Sequence, residues 1–302
     1  MGSVHSVPFE NLKGHHHAQI NRLRCQPNDV DKQLKMLQVN GFCLIENAYS
    51  HMFCDEYAGF LERVAPLLKC KSNDRGAGSR WSLSGDKLWD HDASLEMISQ
   101  ERLLQLMQRS FADKWGRYCI VNLGGDYVEQ DCLEDQPLHS DDCSPTNLRY
   151  AWDYGAGKFQ MDGHDTPPVL AVSVAAVDIH VDMGPLRLAT WGDHEAWAQT
   201  HGAKAPSCDD ERDGKFECAF RCGIPKGWAV VRDIRLLHGG SANKCNTTRW
   251  LPGFIAASAT FMGTLNSAGS FWRPARTMPT SRFETLREGH ELCSRLDYLV
   301  KW

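Results

Sequence analysis

Leu138-His139-Ser140-Asp141-Asp142 is the stretch from which the rest of the chain is read, together with Asp233-Ile234-Arg235-Leu236-Leu237-His238-Gly239-Gly240 and Arg249. In an extended segment alternate side chains share a face, so His139 and Asp141 point the same way. Two imidazoles and one carboxylate on one side of a metal ion leave its opposite side open, a ligand set suited to iron(II). In a chain with 13 histidines an isolated H-x-D arises by chance. The distal His238, followed at a fixed distance by Arg249, gives the motif its weight. A second H-x-D, His180-Val181-Asp182, competes for the same partner histidine.

The order of these motifs, with Met183-Gly184-Pro185-Leu186-Arg187-Leu188 and a Gly-Asp-His at 192–194 between them, resembles the phytanoyl-CoA dioxygenase family of iron(II)- and 2-oxoglutarate-dependent oxygenases. The similarity runs from about residue 30 to about residue 260. Two positions depart from the family pattern. Its Pro-Gly-Ser-His turn reads Trp191-Gly192-Asp193-His194 here, and the residue two after the distal histidine is Gly240 rather than a hydroxyl residue, leaving one cosubstrate hydrogen bond unassigned.

The resemblance implies that His139, Asp141 and His238 hold Fe(II), with 2-oxoglutarate and O2 as cosubstrates. His180 and Asp182 fall where the family has the strand after the metal motif, which favours His139 and Asp141. The far carboxylate of 2-oxoglutarate needs a partner in a partly buried pocket. Arg249 suits it, because a guanidinium offers two parallel hydrogen bonds and keeps its charge. A structural salt bridge is the alternative role for this arginine, and Thr247 or Thr248 could add a hydroxyl. The implied reaction oxidises a small molecule by hydroxylation, desaturation or ring closure, releasing succinate and CO2. A carboxylate at 141 fills the place a halide takes in related halogenases. Arg80, Trp81, Arg187 and Trp191 are the candidates to line the substrate pocket. Two other classes stay open: a zinc-type lyase or isomerase, and a non-catalytic binding module of the same fold.

Composition narrows the field. The 302 residues are 42% hydrophobic and 24% charged, ordinary for a globular chain able to form a core without staples. A net charge of −5 argues against a dedicated nucleic-acid binder. No apolar run approaches the length of a membrane span. The 12 cysteines include no C-x-x-C pair and follow no leader-like segment, so reduced thiols in the cytoplasm are expected. Cys143 follows Asp141 closely and is read as an ordinary thiol. Met1-Gly2-Ser3-Val4-His5-Ser6 formally matches a myristoylation pattern, read as a chance match because no polybasic run accompanies it.

Residues 1–27 read as an arm, and 28–302 as one domain with a barrel core at about 118–260. Asn28 and Asp29 offer caps for a helix ending at Gly41. Phe42-Cys43-Leu44-Ile45 reads as a buried strand, and 51–68 as an amphipathic helix. A loop is expected at 71–90, one helix over 95–115, and strand material from 118 to 130. Residues 143–168 form a long aromatic-rich loop, expected to be a lid or a dimer contact. Val169 to Ile179 is a buried strand, and further strands are expected at about 216–221, 228–232 and 249–259. Pro252 marks an edge or a bulge in the last. His164, His194 and His201 are read as surface imidazoles in loops, and 280–299 as a helix. Many short strands between helices indicate a mainly β fold with helical flanks, a double-stranded β-helix of the jelly-roll or cupin type.

Overall fold

The computed structural model describes residues 20–69, 74–76, 78–83, 88, 91–112, 118–141, 152–153, 158–159, 169–202, 206–218, 220–221 and 223–258. The strands are β1 (Arg24–Cys25), β2 (Phe42–Ile45), β3 (Asp74–Gly76), β4 (Arg80–Ser82), β5 (Tyr118–Val128), β6 (Trp152–Asp153), β7 (Lys158–Phe159), β8 (Val169–Val174), β9 (Leu186–Leu188), β10 (Phe220–Arg221), β11 (Ala229–Asp233), β12 (His238–Gly240) and β13 (Arg249–Ser258). The helices are α1 (Val30–Asn40), α2 (His51–Leu68), α3 (Asp92–Ile98), α4 (Glu101–Ala112), α5 (Trp191–His201) and α6 (Cys208–Arg212).

Local chemistry sets several of these boundaries. The Asp29 side chain accepts from the N–H of Lys32 at 3.1 Å and opens α1. Gly41, at φ +83°, closes it by donating to Leu37 O at 2.9 Å. Ser50 caps α2 in the same way, accepting from the N–H of Phe53. The single helix expected over 95–115 is two, α3 and α4, separated at Ser99 and Gln100, and Ser99 N–H bonds back to Leu95 O and Glu96 O. Trp191-Gly192-Asp193-His194 is not a turn but the first turn of α5. Thr190 and Asp193 close a reciprocal capping box there, a signal that Thr-x-x-Asp already carries.

A large sheet runs in the order β1-β2-β11-β8-β13-β5-β4-β3, and a small one β10-β9-β12. An antiparallel bridge between His139 and His238 continues the small sheet on its far side. The large sheet packs helices against one face and the small sheet against the other. Alternation along each strand decides which residue goes where. Cys43, Ile45, Ala229, Val231, Tyr127 and Trp250 join the helix-side core with Phe53, Tyr57, Leu61, Met97 and Phe111. Their strand neighbours Phe42, Leu44, Val230 and Leu251 turn inward and meet Leu188, Phe220, Ile224 and Leu236 between the sheets. Together the two sheets make the double-stranded β-helix, with a core near one end and the polar site described below near the other.

Pro252 sits where β13 has a partner on one side only. Its pairing with β8 starts at Gly253, while β5 continues alongside through Pro252 to Arg249. The register shift falls elsewhere, opposite Ile255 and Ala256, and its extra residue is Val121 of β5. The strand expected at 216–221 is reduced to Phe220–Arg221. Of the 143–168 loop, only β6 and β7 are described, paired antiparallel. The expected helix at 280–299, together with Cys143 and His164, lies outside the described residues. The arm's last residues belong to the fold, since β1 pairs in parallel with β2 and Ile20 is buried. No helix among the described residues is long and apolar enough to cross a membrane.

Candidate metal centre

His139, Asp141 and His238 converge from positions almost a hundred residues apart, their ligand atoms all within 4.8 Å of one another. Among the described residues they are the one such group of His, Cys, Asp and Glu. The segment carrying the first pair is pinned to the strand carrying the third. His139 N–H donates to His238 O at 2.9 Å, and His238 N–H returns the bond to His139 O at 2.8 Å. Asp141 N–H donates to Ile234 O at 3.0 Å. That carbonyl belongs to the tight turn between β11 and β12, which the buried Asp233–Arg235 ion pair holds closed, with Arg235 Nε 2.9 Å from Asp233 Oδ1.

The orientation of both rings is fixed by the backbone. His139 Nδ1 lies 2.9 Å from Pro137 O, and His238 Nδ1 lies 2.9 Å from Leu236 O. A carbonyl oxygen only accepts, so each Nδ1 carries the proton and each Nε2 keeps its lone pair. Both Nε2 atoms face the carboxylate between them, at 3.8 Å for His139 and 3.4 Å for His238. Burial, reinforced by Arg232, pushes His238 down to about 3, which leaves the ring neutral. For Asp141 burial works upward. His238, Arg232 and His139 outweigh it and hold the carboxyl well below the usual carboxylate range. Two neutral imidazoles and one ionised carboxylate with converging lone pairs fit a divalent transition-metal ion.

His238 comes from the small sheet, His139 from the segment bridged to it and Asp141 from two residues further on, while the large sheet supplies the cations around them. Arg232, on the inner face of β11, donates through Nη2 to Asp141 Oδ2 at 2.6 Å. Arg80 of β4 and Arg249 of β13 both stand opposite Val128 of β5, so the three share a face with Asp126, two residues earlier on β5. Arg249 is fully buried. Its Nη2 is 2.9 Å from Asp126 Oδ2, yet none of its three guanidinium nitrogens aims an N–H at a protein acceptor. Thr247 is exposed and Thr248 only partly buried, so neither hydroxyl is enclosed with that guanidinium.

The four residues expected to line a substrate pocket go to different places. Arg80 is buried beside Arg249. Trp81, the next residue, turns to the helix-side core, where its indole donates to Glu129 at 3.0 Å. Arg187 is buried and committed to the protein, donating to Glu211 and to Gln136 O. Trp191 packs over Gly41, where even a Cβ would meet its ring at 2.8 Å. Asp182 of the second H-x-D is exposed.

His194 and His201 lie in a helix, not in loops. His201 is exposed and stacks on Trp197 at 3.6 Å. His194 is buried, not a surface imidazole, and its Nε2 accepts from Leu237 N–H at 3.4 Å, one residue before the distal histidine. Arg232 and Asp126 escaped the sequence reading. The signal for Arg232 was a charge directly after the apolar run Ala229-Val230-Val231, where a buried arginine needs a partner.

Comparison with solved structures bears on this geometry. The chain superposes on the non-heme α-ketoglutarate-dependent epimerase SnoN from nogalamycin biosynthesis with a TM-score of 0.53 and 16% identity, over 78% of this chain and 84% of that one. HygX from Streptomyces hygroscopicus, with nickel and 2-oxoglutarate bound, gives 0.52 and 15% identity over 76% and 87%. The chain shares the fold of these enzymes. SnoN has also been solved with Fe3+, α-ketoglutarate and nogalamycin RO, and HygX with hygromycin B. No protein-family model matches the sequence, and no curated protein matches it.

Proposed function

We propose that this chain is an iron(II)- and 2-oxoglutarate-dependent oxygenase of the phytanoyl-CoA dioxygenase kind, acting on a small molecule. The observation that carries the reading is the pair of imidazoles whose Nδ1 protons are spent on backbone carbonyls while both Nε2 atoms face Asp141. His139, Asp141 and His238 would hold the metal. When bound, iron with 2-oxoglutarate and O2 supplies oxidative decarboxylation to succinate and CO2 coupled to attack on a substrate C–H bond. Arg249 anchors the far carboxylate of the cosubstrate. A buried guanidinium with no directed protein partner is costly, and a planar carboxylate meets it with two charge-assisted hydrogen bonds. A zinc-type, non-redox lyase or isomerase site has no use for such an anchor.

The chain's own part is placement. The 233–237 turn sets the height of Asp141 and the tilt of His238, and Arg232 holds one carboxylate oxygen. SnoN and HygX, which share the fold, have been solved with nogalamycin RO and hygromycin B bound, which supports a small-molecule substrate here. Hydroxylation, desaturation and ring closure remain the expected outcomes, with inversion at a carbon centre added by the SnoN likeness.

Anaerobic addition of iron(II) and 2-oxoglutarate should raise a weak visible charge-transfer band, absent in His139→Ala. With O2 and a metabolite pool, succinate should appear above the His139→Ala background. Tight zinc binding with no band from iron and 2-oxoglutarate would overturn the assignment in favour of a non-redox metalloenzyme.

A further inference from the structure

The second departure from the family pattern, glycine two residues after the distal histidine, has a structural counterpart. A Cβ on Gly240 would sit 2.0 Å from Nη1 of Arg80 and 2.8 Å from its Cζ. Along β12, Gly240 faces the same way as His238, two residues away. The guanidinium of Arg80 therefore occupies the space beside the His238 imidazole, one strand step of roughly 7 Å along. The missing side chain is what lets it in.

Arg80 is held there and left partly unspent. Its Nη2 donates to Ser241 O at 2.8 Å and lies 3.4 Å from Gly240 O. Its Nη1, buried, has no hydrogen-bond partner, although Asp126 Oδ2 is 3.8 Å away. Among the described residues Asp126 is thus the one carboxylate between two buried arginines, Arg80 and Arg249, and neither directs an N–H at it. An Arg-Asp-Arg triad serving stability alone would point its donors at the carboxylate. Among the described residues this pocket is one negative charge short, and its donors come from two strands that flank Val128. Burial lowers the pKa of Arg80, Asp126 raises it and Arg249 lowers it again, and a bound anion would act in the same direction as Asp126.

We infer that Arg80 is a second cation for the far carboxylate of the 2-oxo acid, standing with Arg249 where the family places a hydroxyl side chain. The inference rests on the cosubstrate reading above. It makes the site selective for 2-oxo acids with an anionic tail, and it explains why position 240 carries no side chain.

Isothermal titration of the nickel-loaded protein tests it, with 2-oxoglutarate and with 2-oxobutyrate, which lacks the far carboxylate. Arg80→Gln should lose about tenfold or more in affinity for 2-oxoglutarate, the scale of one charged hydrogen bond, while 2-oxobutyrate and nickel binding stay unchanged. Gly240→Ser should weaken 2-oxoglutarate binding in the wild-type background. In an Arg80→Ala background it should restore part of the loss, because the hydroxyl then has room. If Arg80→Gln does not bind nickel, Arg80→Lys takes its place, with a smaller loss confined to 2-oxoglutarate. Unchanged 2-oxoglutarate affinity, or equal loss for both acids, would overturn the role of Arg80. Failure of the wild-type nickel protein to bind either acid would overturn the cosubstrate reading itself.

Discussion

Arg232 of β11 and Asp141 of the segment bridged to β12 are joined by a 2.6 Å hydrogen bond from Nη2 to Oδ2. It fixes which carboxylate oxygen is spent on the protein and leaves Oδ1 on the side of His139. Groups that orient a metal ligand typically account for 10–100-fold in affinity, by order of magnitude. Arg232→Met should therefore weaken cobalt or nickel binding by about tenfold or more. Competition against a chelator of known affinity reads this directly. Undiminished affinity would mean that Asp141 is positioned without help from Arg232.

Arg187 should behave as a brace. Its side chain is buried between Glu211 of α6 and the backbone of Gln136, three residues before the first metal-ligand candidate. Truncation strands Glu211 and removes the tie to that segment, and breaking a buried pair typically costs about 3–5 kcal/mol. Arg187→Ala should lower the urea midpoint and reduce substrate-coupled and uncoupled 2-oxoglutarate turnover by the same factor. A selective loss of substrate dependence would return Arg187 to the substrate pocket.

The sequence carried the triad because metal ligation needs particular residue types at particular spacings, and H-x-D on an extended segment meets that need locally. It carried α1, β2 and α2 because capping residues and apolar periods are also local. What it did not carry depends on partners distant in the chain. Arg80 and Trp81 are adjacent and looked alike as loop residues, yet strand alternation sends one to the side of Arg249 and the other to the helices. Their register against Tyr127 and Val128 cannot be read without the sheet. His194 looked like a surface imidazole because its acceptor role toward Leu237 joins a helix to the turn before β12, 43 residues later. The break at Ser99–Gln100 falls within an unbroken apolar period, so periodicity alone ran the two helices together.

The core between the sheets is what brings β2 and β11 against β9 and β10, and its central contact is Phe42 edge-on to Phe220 at a ring separation of 5.3 Å. Both rings are almost fully buried. Phe42→Ala should cost about 3–5 kcal/mol, the usual range for an aromatic removed from a core. Urea unfolding should show the loss as a lower midpoint with an unchanged slope. A changed slope would mean that the sheets separate before the rest of the fold.

His194 gives the fold an acid-sensitive element. Burial lowers its pKa to about 3, against about 6.5 for a free imidazole. Between those values the unfolded chain takes up a proton that the folded chain refuses. The stability tied to neutral His194 is therefore complete above about pH 6.5 and lost as pH falls toward 3, at up to ~1.4 kcal/mol per pH unit. His238 is depressed by burial in the same direction and adds a second contribution of the same sign. Urea titrations of the metal-free protein between pH 7.5 and 5 should show falling stability, and His194→Gln should lessen the slope by about one proton's worth. An unaltered slope would mean that the folded protein protonates His194 and that Leu237 N–H has another acceptor.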